Sequence, residues 1–201
     1  KNTSMWLAIQ SVKEKKSDVV ISAGNTGALL VISKLNLKMI ENIDKPALSA
    51  LWPNKKGLSV VLDLGANIEC SPKNLIDFSI MGSSLFKSLF SEDSAKVALL
   101  NIGSEELKGN EIIKETYQQL NRKENHGFEF KGYIEGNQLM NGDVNVIVAD
   151  GFTGNIALKT AEGTASFITS ELKKTMTGNI IGKISSLLNI SNLKKFKARL
   201  D

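Results

Sequence analysis

Four short turns in this sequence carry residue types that bind anions and orient a developing oxyanion. They read Ser22–Ala23–Gly24–Asn25–Thr26–Gly27–Ala28, Leu62–Asp63–Leu64–Gly65–Ala66–Asn67, Leu100–Asn101–Ile102–Gly103–Ser104–Glu105 and Asp150–Gly151–Phe152–Thr153–Gly154–Asn155. Each follows an apolar run and combines small residues with an amide or a carboxylate. Glycine lets backbone N–H groups approach an anion, and a helix beginning there adds partial positive charge. Asn and Thr supply neutral donors that orient an oxyanion without neutralising it. Each turn alone has a plainer reading: Asn25 and Thr26 as a helix cap, Asp63 as a turn former, Ser104 as a cap. Four such turns at one sheet edge favour a composite binding crevice, because ligands in open α/β sheets sit beyond the carboxyl ends of the strands.

Other chemistries fit poorly. No G-x-G-x-x-G follows a strand and no G-x-x-x-x-G-K-[ST] occurs, which disfavours a dehydrogenase or an ordinary ATPase. One cysteine (Cys70) and one histidine (His126) cannot build a Cys/His zinc site. His126 falls in a polar loop and reads as solvated. Cys70 reads as a small core residue or a crevice lining. The nucleophile is therefore expected from the substrate, and inorganic phosphate, already anionic, needs positioning more than deprotonation.

The elements that must hold these turns are legible from periodicity. Helical spacing covers Ser4 to Lys15, Thr26 to Ile40, Leu75 to Phe90, Glu105 to Leu120 and a long stretch from about Thr153. Short apolar runs at Asp18 to Ser22, Ala47 to Trp52, Leu58 to Leu62, Ala95 to Leu100, Phe128 to Lys131 and Val144 to Ala149 read as strands. Pro53 closes the second of these, and residues 54–57 make the turn that follows it. Alternation of strands and helices predicts a three-layer α/β/α body with a largely parallel sheet over residues 1–172. Residues 173–201 read as a basic helical arm.

The 201 residues carry a formal net charge of only +4, which gives no argument for nucleic acid. A lone cysteine excludes an internal disulfide and fits a reducing compartment. No secretory signal is read at the start, and the most apolar uncharged run is too short and too interrupted to span a bilayer.

At its turns the sequence resembles the acyl-ACP:phosphate acyltransferases, in the phosphate acetyl/butyryl-transferase-like group. The matching stretches are SAGNTGALL (22–30), KPAL (45–48), LDLGAN (62–67), MG (81–82), LLNIGSEELKG (99–109), IEG (134–136) and DGFTGNIALKTAEG (150–163). The initial MGGD-type segment and the late HG-containing segment of that family are missing, so the chain reads as an internal portion. The resemblance implies transfer of a long-chain acyl group from acyl carrier protein to inorganic phosphate, with no cofactor and no metal. It implies that Asn25, Thr26 and Asn155 position phosphate or the carbonyl, with Lys108 and Lys159 as countercharges and Asp63 and Asp150 as orienters. Gly24, Gly27, Gly65, Asn67, Asn101, Gly103, Gly151 and Gly154 complete the expected substrate-binding set. A homodimer, cytoplasmic and peripherally associated with the inner face of the cell membrane, is also implied.

The arm carries no acidic residue from Lys173 to Arg199, while Ile180, Ile181, Ile184, Leu187 and Leu188 recur at helical spacing between lysines. Such a stripe suits an anionic membrane surface or a dimer seam, and its basic flank could receive an acidic carrier protein. Two other functions remain open at this stage: a coenzyme A-dependent phosphate acetyl/butyryltransferase, and a catalytically silent lipid- or carrier-binding module.

Overall fold

The computed structural model describes residues 3–122 and 126–200, leaving aside the side chains of Lys197, Arg199 and Leu200. The middle of the expected 121–127 loop, and two of the arm's basic side chains, therefore lie outside the described residues.

Runs of Val, Leu and Ile too apolar to face water on either side form the centre of one five-stranded sheet. Its strands are β1 (Ser49–Asn54), β2 (Gly57–Leu62), β3 (Lys96–Asn101), β4 (Glu129–Glu135) and β5 (Val146–Val148), in the order β1-β2-β5-β3-β4. The pairs β2–β5, β5–β3 and β3–β4 are parallel. Strand β1 is an antiparallel edge joined to β2 by a tight hairpin, with Ser49 opposite Leu62. Pro53 does not close β1 as expected but sits within it opposite Leu58. An edge strand tolerates proline because one side of it has no ladder to break.

Alternate residues serve opposite faces, as the pleat requires. Val60, Leu62, Val97, Leu99, Val146 and Val148 pack beneath α3 (Pro72–Phe90) and α4 (Glu111–Leu120), with Leu75, Phe78 and Ile113. Val61, Ala98, Leu100 and Ile147 face the other way, toward Trp52 and toward Ala157, Leu158 and Ala161 of α5 (Gly151–Thr177). The result is the three-layer arrangement expected. Gly82 explains the MG stretch: a Cβ there would lie 2.5 Å from Val146 and 2.8 Å from Leu62, so its absence lets α3 settle onto the sheet.

Helices α1 (Ser4–Lys13) and α2 (Thr26–Leu37) pack together ahead of the sheet, and α6 (Ile180–Leu188) and α7 (Ile190–Leu200) follow α5. Two further expectations fail. Residues 18–22 join no strand among the described residues, and Ile21 is 91% exposed. The run has strand-forming residues but no neighbouring strand to satisfy its backbone. Residues 105–110 are loop rather than the start of α4. Asn110 caps the helix by accepting the Ile113 N–H at 2.9 Å, and Gly109 sits at φ +95°, outside helical geometry. Helix α5 runs unbroken across residues 172 and 173.

Candidate active site at the strand ends

The carboxyl ends of β2, β3 and β5 lie on one edge of the sheet. There a cavity of about 840 Å³ is lined by the starts of three helices. Ser71 caps α3, Asn110 caps α4 and Asp150 caps α5, and all three line it. Converging helix starts gather unpaired N–H groups and partial positive charge. Lys45 is the cation in the lining, its Nζ donating to the Glu69 carbonyl at 2.8 Å. Ile68, Phe152 and Ile112 add apolar surface.

Two of the four turns meet here. The backbone of Asp63 donates to Ala149 and that of Ala149 to Leu62, at 3.0 and 2.7 Å, continuing the β2–β5 pairing into the turns. Gly151 N–H then donates to the Asn67 carbonyl at 2.8 Å. Glycine is required at this crossing, since a Cβ on Gly151 would lie 2.7 Å from that carbonyl oxygen and one on Gly154 would run into the Asp63 carbonyl. Asp150 accepts the Thr153 N–H on one carboxylate oxygen and the Thr153 hydroxyl on the other, each at 2.8 Å.

Several expected roles change. Asp63 is fully buried, its carboxylate surrounded by backbone and amide N–H groups, so direct contact with substrate is closed to it and an orienting role is what its position allows. Asn67 likewise spends its amide on Pro46 and Asp63, both at 2.7 Å. Asn101 donates to the Gly103 and Lys108 carbonyls at 3.1 Å each, so it shapes the 102–109 loop, and neither Gly103 nor Lys108 lines the cavity. Lys159 pairs with Glu162 on the exposed face of α5, a contact of small energetic weight. Gly24, Asn25, Thr26 and Gly27 are exposed outside the cavity lining, and Asn25 caps α2 by accepting the Ala28 N–H at 3.0 Å. Asn155 is exposed beside Gly65 and is not part of the lining.

Sequence reading passed over Lys45, Ser71, Asn110 and Thr153. Lys45 stands in the KPAL stretch, Ser71 precedes a proline at the start of a helix, and Asp150 with Thr153 has capping spacing. Cys70 does line the cavity. Burial pushes its thiol above the ordinary value of 9.0, partly offset by the Gly151 N–H. A thiol held protonated is a poor nucleophile.

The α/β architecture is shared with solved phosphotransacylases. The Staphylococcus aureus EutD phosphotransacetylase matches with a TM-score of 0.60 and 18% identity, over 81% of this chain and 56% of that one. A branched-chain phosphotransacylase from Enterococcus faecalis matches with a TM-score of 0.55 and 17% identity, over 79% and 63%. At those identities the likeness concerns the fold alone. The chain belongs to the fatty acid synthesis protein family, whose model matches residues 1–201. It is 91% identical over its whole length to a phosphate acyltransferase of Pelagibacter ubique, covering 60% of that protein. It is 45% identical to one of Maricaulis maris, covering 57%. The chain thus spans about three fifths of the length of these relatives.

Proposed function

We propose that the protein to which this chain corresponds transfers a fatty acyl group from acyl carrier protein to inorganic phosphate. The observation carrying this reading is a cavity where three helix starts and Lys45 meet, in a chain so similar to a named phosphate acyltransferase. A phosphate oxygen attacks the thioester carbonyl, a tetrahedral oxyanion forms, and it collapses with expulsion of the carrier thiolate, which then takes a proton. Phosphate sits against Lys45 and the first turns of α3 and α5, with Thr153 beside it. Asn155, exposed on α5 two residues beyond Thr153, is the candidate donor to the oxyanion, a contribution typically worth about 3 kcal/mol of barrier.

The partners follow from this chemistry: acyl carrier protein as donor and phosphate as acceptor. The arm of α6 and α7 brings the enzyme to an anionic membrane surface, where acyl phosphate is used, with a homodimer presenting two such arms on the cytoplasmic side. Exposure of Ile180, Ile181, Ile184, Leu187 and Leu188 supports this reading. The test incubates the full-length protein with phosphate and either palmitoyl-ACP or acetyl-CoA and traps acyl phosphate with hydroxylamine. Hydroxamate from palmitoyl-ACP without nucleotide or divalent metal is expected. Product from acetyl-CoA only, or from neither, overturns the assignment.

A further inference from the structure

We propose that Asp63 is the positioning residue of this crevice, acting on the bound ligand through Asn67 without touching it. The proposal rests on the reading of the crevice as the place where phosphate meets the thioester.

Three N–H groups converge on Asp63 Oδ1: Leu48 at 3.0 Å, Gly65 at 3.2 Å and Ala66 at 3.0 Å. Two more reach Oδ2, both from Asn67: the backbone N–H at 2.8 Å and the side-chain amide at 2.7 Å. A carboxylate offers about four lone-pair sites, so these donors leave nothing for a ligand. Their effect is to fix Asn67 at two points, while Pro46 holds the same amide at 2.7 Å. The Asn67 carbonyl is thereby aimed in one direction. It receives the N–H of Gly151, the first residue of α5, at 2.8 Å, and the Cys70 thiol faces it at 3.7 Å. Where α5 begins is therefore set by Asn67, and behind it by Asp63. The residues that follow Gly151, Phe152 and Thr153, line the cavity. Only an all-acceptor side chain suits this position, because an amide must turn its NH2 toward one set of donors, and the two from Asn67 oppose it less than the three at Oδ1.

Cys70 is the chain's sole cysteine and lines the cavity, so its labelling by iodoacetamide reports on the turn without reference to acyl transfer. Asp63→Asn keeps the side-chain size and breaks the Oδ2 contacts. It is expected to accelerate labelling about tenfold or more when rates are compared per thiolate from a pH profile, since loss of the Asp63 charge by itself lowers the Cys70 thiol and raises the thiolate fraction. The core control Leu99→Ala, compared at equal distance below its own Tm, stays within about twofold of the parent. Asn67→Ala, which removes the side-chain arm alone, is expected to give a smaller rise and serves if Asp63→Asn does not fold. In the full-length protein, kcat/KM for phosphate is expected to fall at least about tenfold in Asp63→Asn and to hold in Leu99→Ala. Labelling no faster than in the parent or the control overturns the proposal, as does an unchanged kcat/KM. A parent that forms no acyl phosphate overturns the functional reading instead, and the labelling result still decides the role of Asp63.

Discussion

Thr153 gives both its backbone N–H and its hydroxyl to Asp150, one to each carboxylate oxygen, at 2.8 Å in each case. The pair is at once the cap of α5 and part of the cavity wall. Thr153→Val deletes only the hydroxyl bond and is expected to lower stability by about 1 kcal/mol. In full-length enzyme it should also raise the KM for phosphate several-fold, measured by hydroxamate formation across a phosphate titration. A stability loss with unchanged KM would reduce Thr153 to a cap.

Asn25 and Asn155 were expected to act alike, and the structure separates them. Asn25 accepts the Ala28 N–H, so Asn25→Ala should cost about 1 kcal/mol in denaturant unfolding. Its turnover should stay within about twofold of the parent once corrected for folded fraction. Asn155 makes no side-chain hydrogen bond among the described residues, so Asn155→Ala should leave stability within about 0.5 kcal/mol. Its turnover should fall by about 10²–10³ if it faces the oxyanion. The reverse pattern would return the oxyanion to the 22–28 turn.

What the sequence made legible was the part governed by local chemistry. Valine- and leucine-rich runs with turn residues after them located β2, β3 and β5, and Ser71–Pro72 marked the start of α3. What it hid depended on neighbours. Val19 and Ile21 form the same kind of run as Val60 and Leu62, but only the latter have a parallel strand beside them. At 105–110 the charged residues Glu105, Glu106 and Lys108 would suit the polar face of a helix, while Gly109 and the Asn101 amide fix a loop instead. The site is hidden for a related reason. Asp63 and Asn67 are the polar residues that look most like ligands, yet their polarity is consumed by the turn that they build.

The glycines of α5 divide by what surrounds them. Gly154 packs on the Asp63 carbonyl, so Gly154→Ala should destabilise by more than about 2 kcal/mol, as overpacking against rigid backbone does. Gly163 has open space where its Cβ would be, so Gly163→Ala in the same helix should stabilise by about 0.5–1 kcal/mol. Thermal melts of the two variants check both signs.

Burial raises the Cys70 thiol above its ordinary value of 9.0, so the fold favours the protonated form. Below the unfolded thiol value this contribution is fully present, and it is lost as pH rises through the folded value. The parent should therefore lose stability above about pH 9 in a way that Cys70→Ala does not. Parallel unfolding curves from pH 7 to 10.5, with the difference between the two proteins constant throughout, would sink the claim.

The exposed stripe on α6 makes the last prediction. Ile181 and Leu188 are 80% and 82% exposed, a poor state for large aliphatic side chains on a helix flanked by lysines. If the stripe enters a bilayer surface, the protein should float with anionic vesicles better than with neutral ones. Added salt should weaken the lysine contribution by screening and leave the apolar contribution in place. Leu187→Glu combined with Leu188→Glu should abolish flotation, because it places two carboxylates where apolar contact and anionic headgroups are both required. The α/β body should keep its melting temperature, since neither residue is buried against the sheet. Conversion of dimers into folded monomers by the double variant, with flotation of the parent indifferent to lipid charge, would make the stripe a subunit seam. A parent that floats with no vesicle composition would remove the membrane from the account altogether.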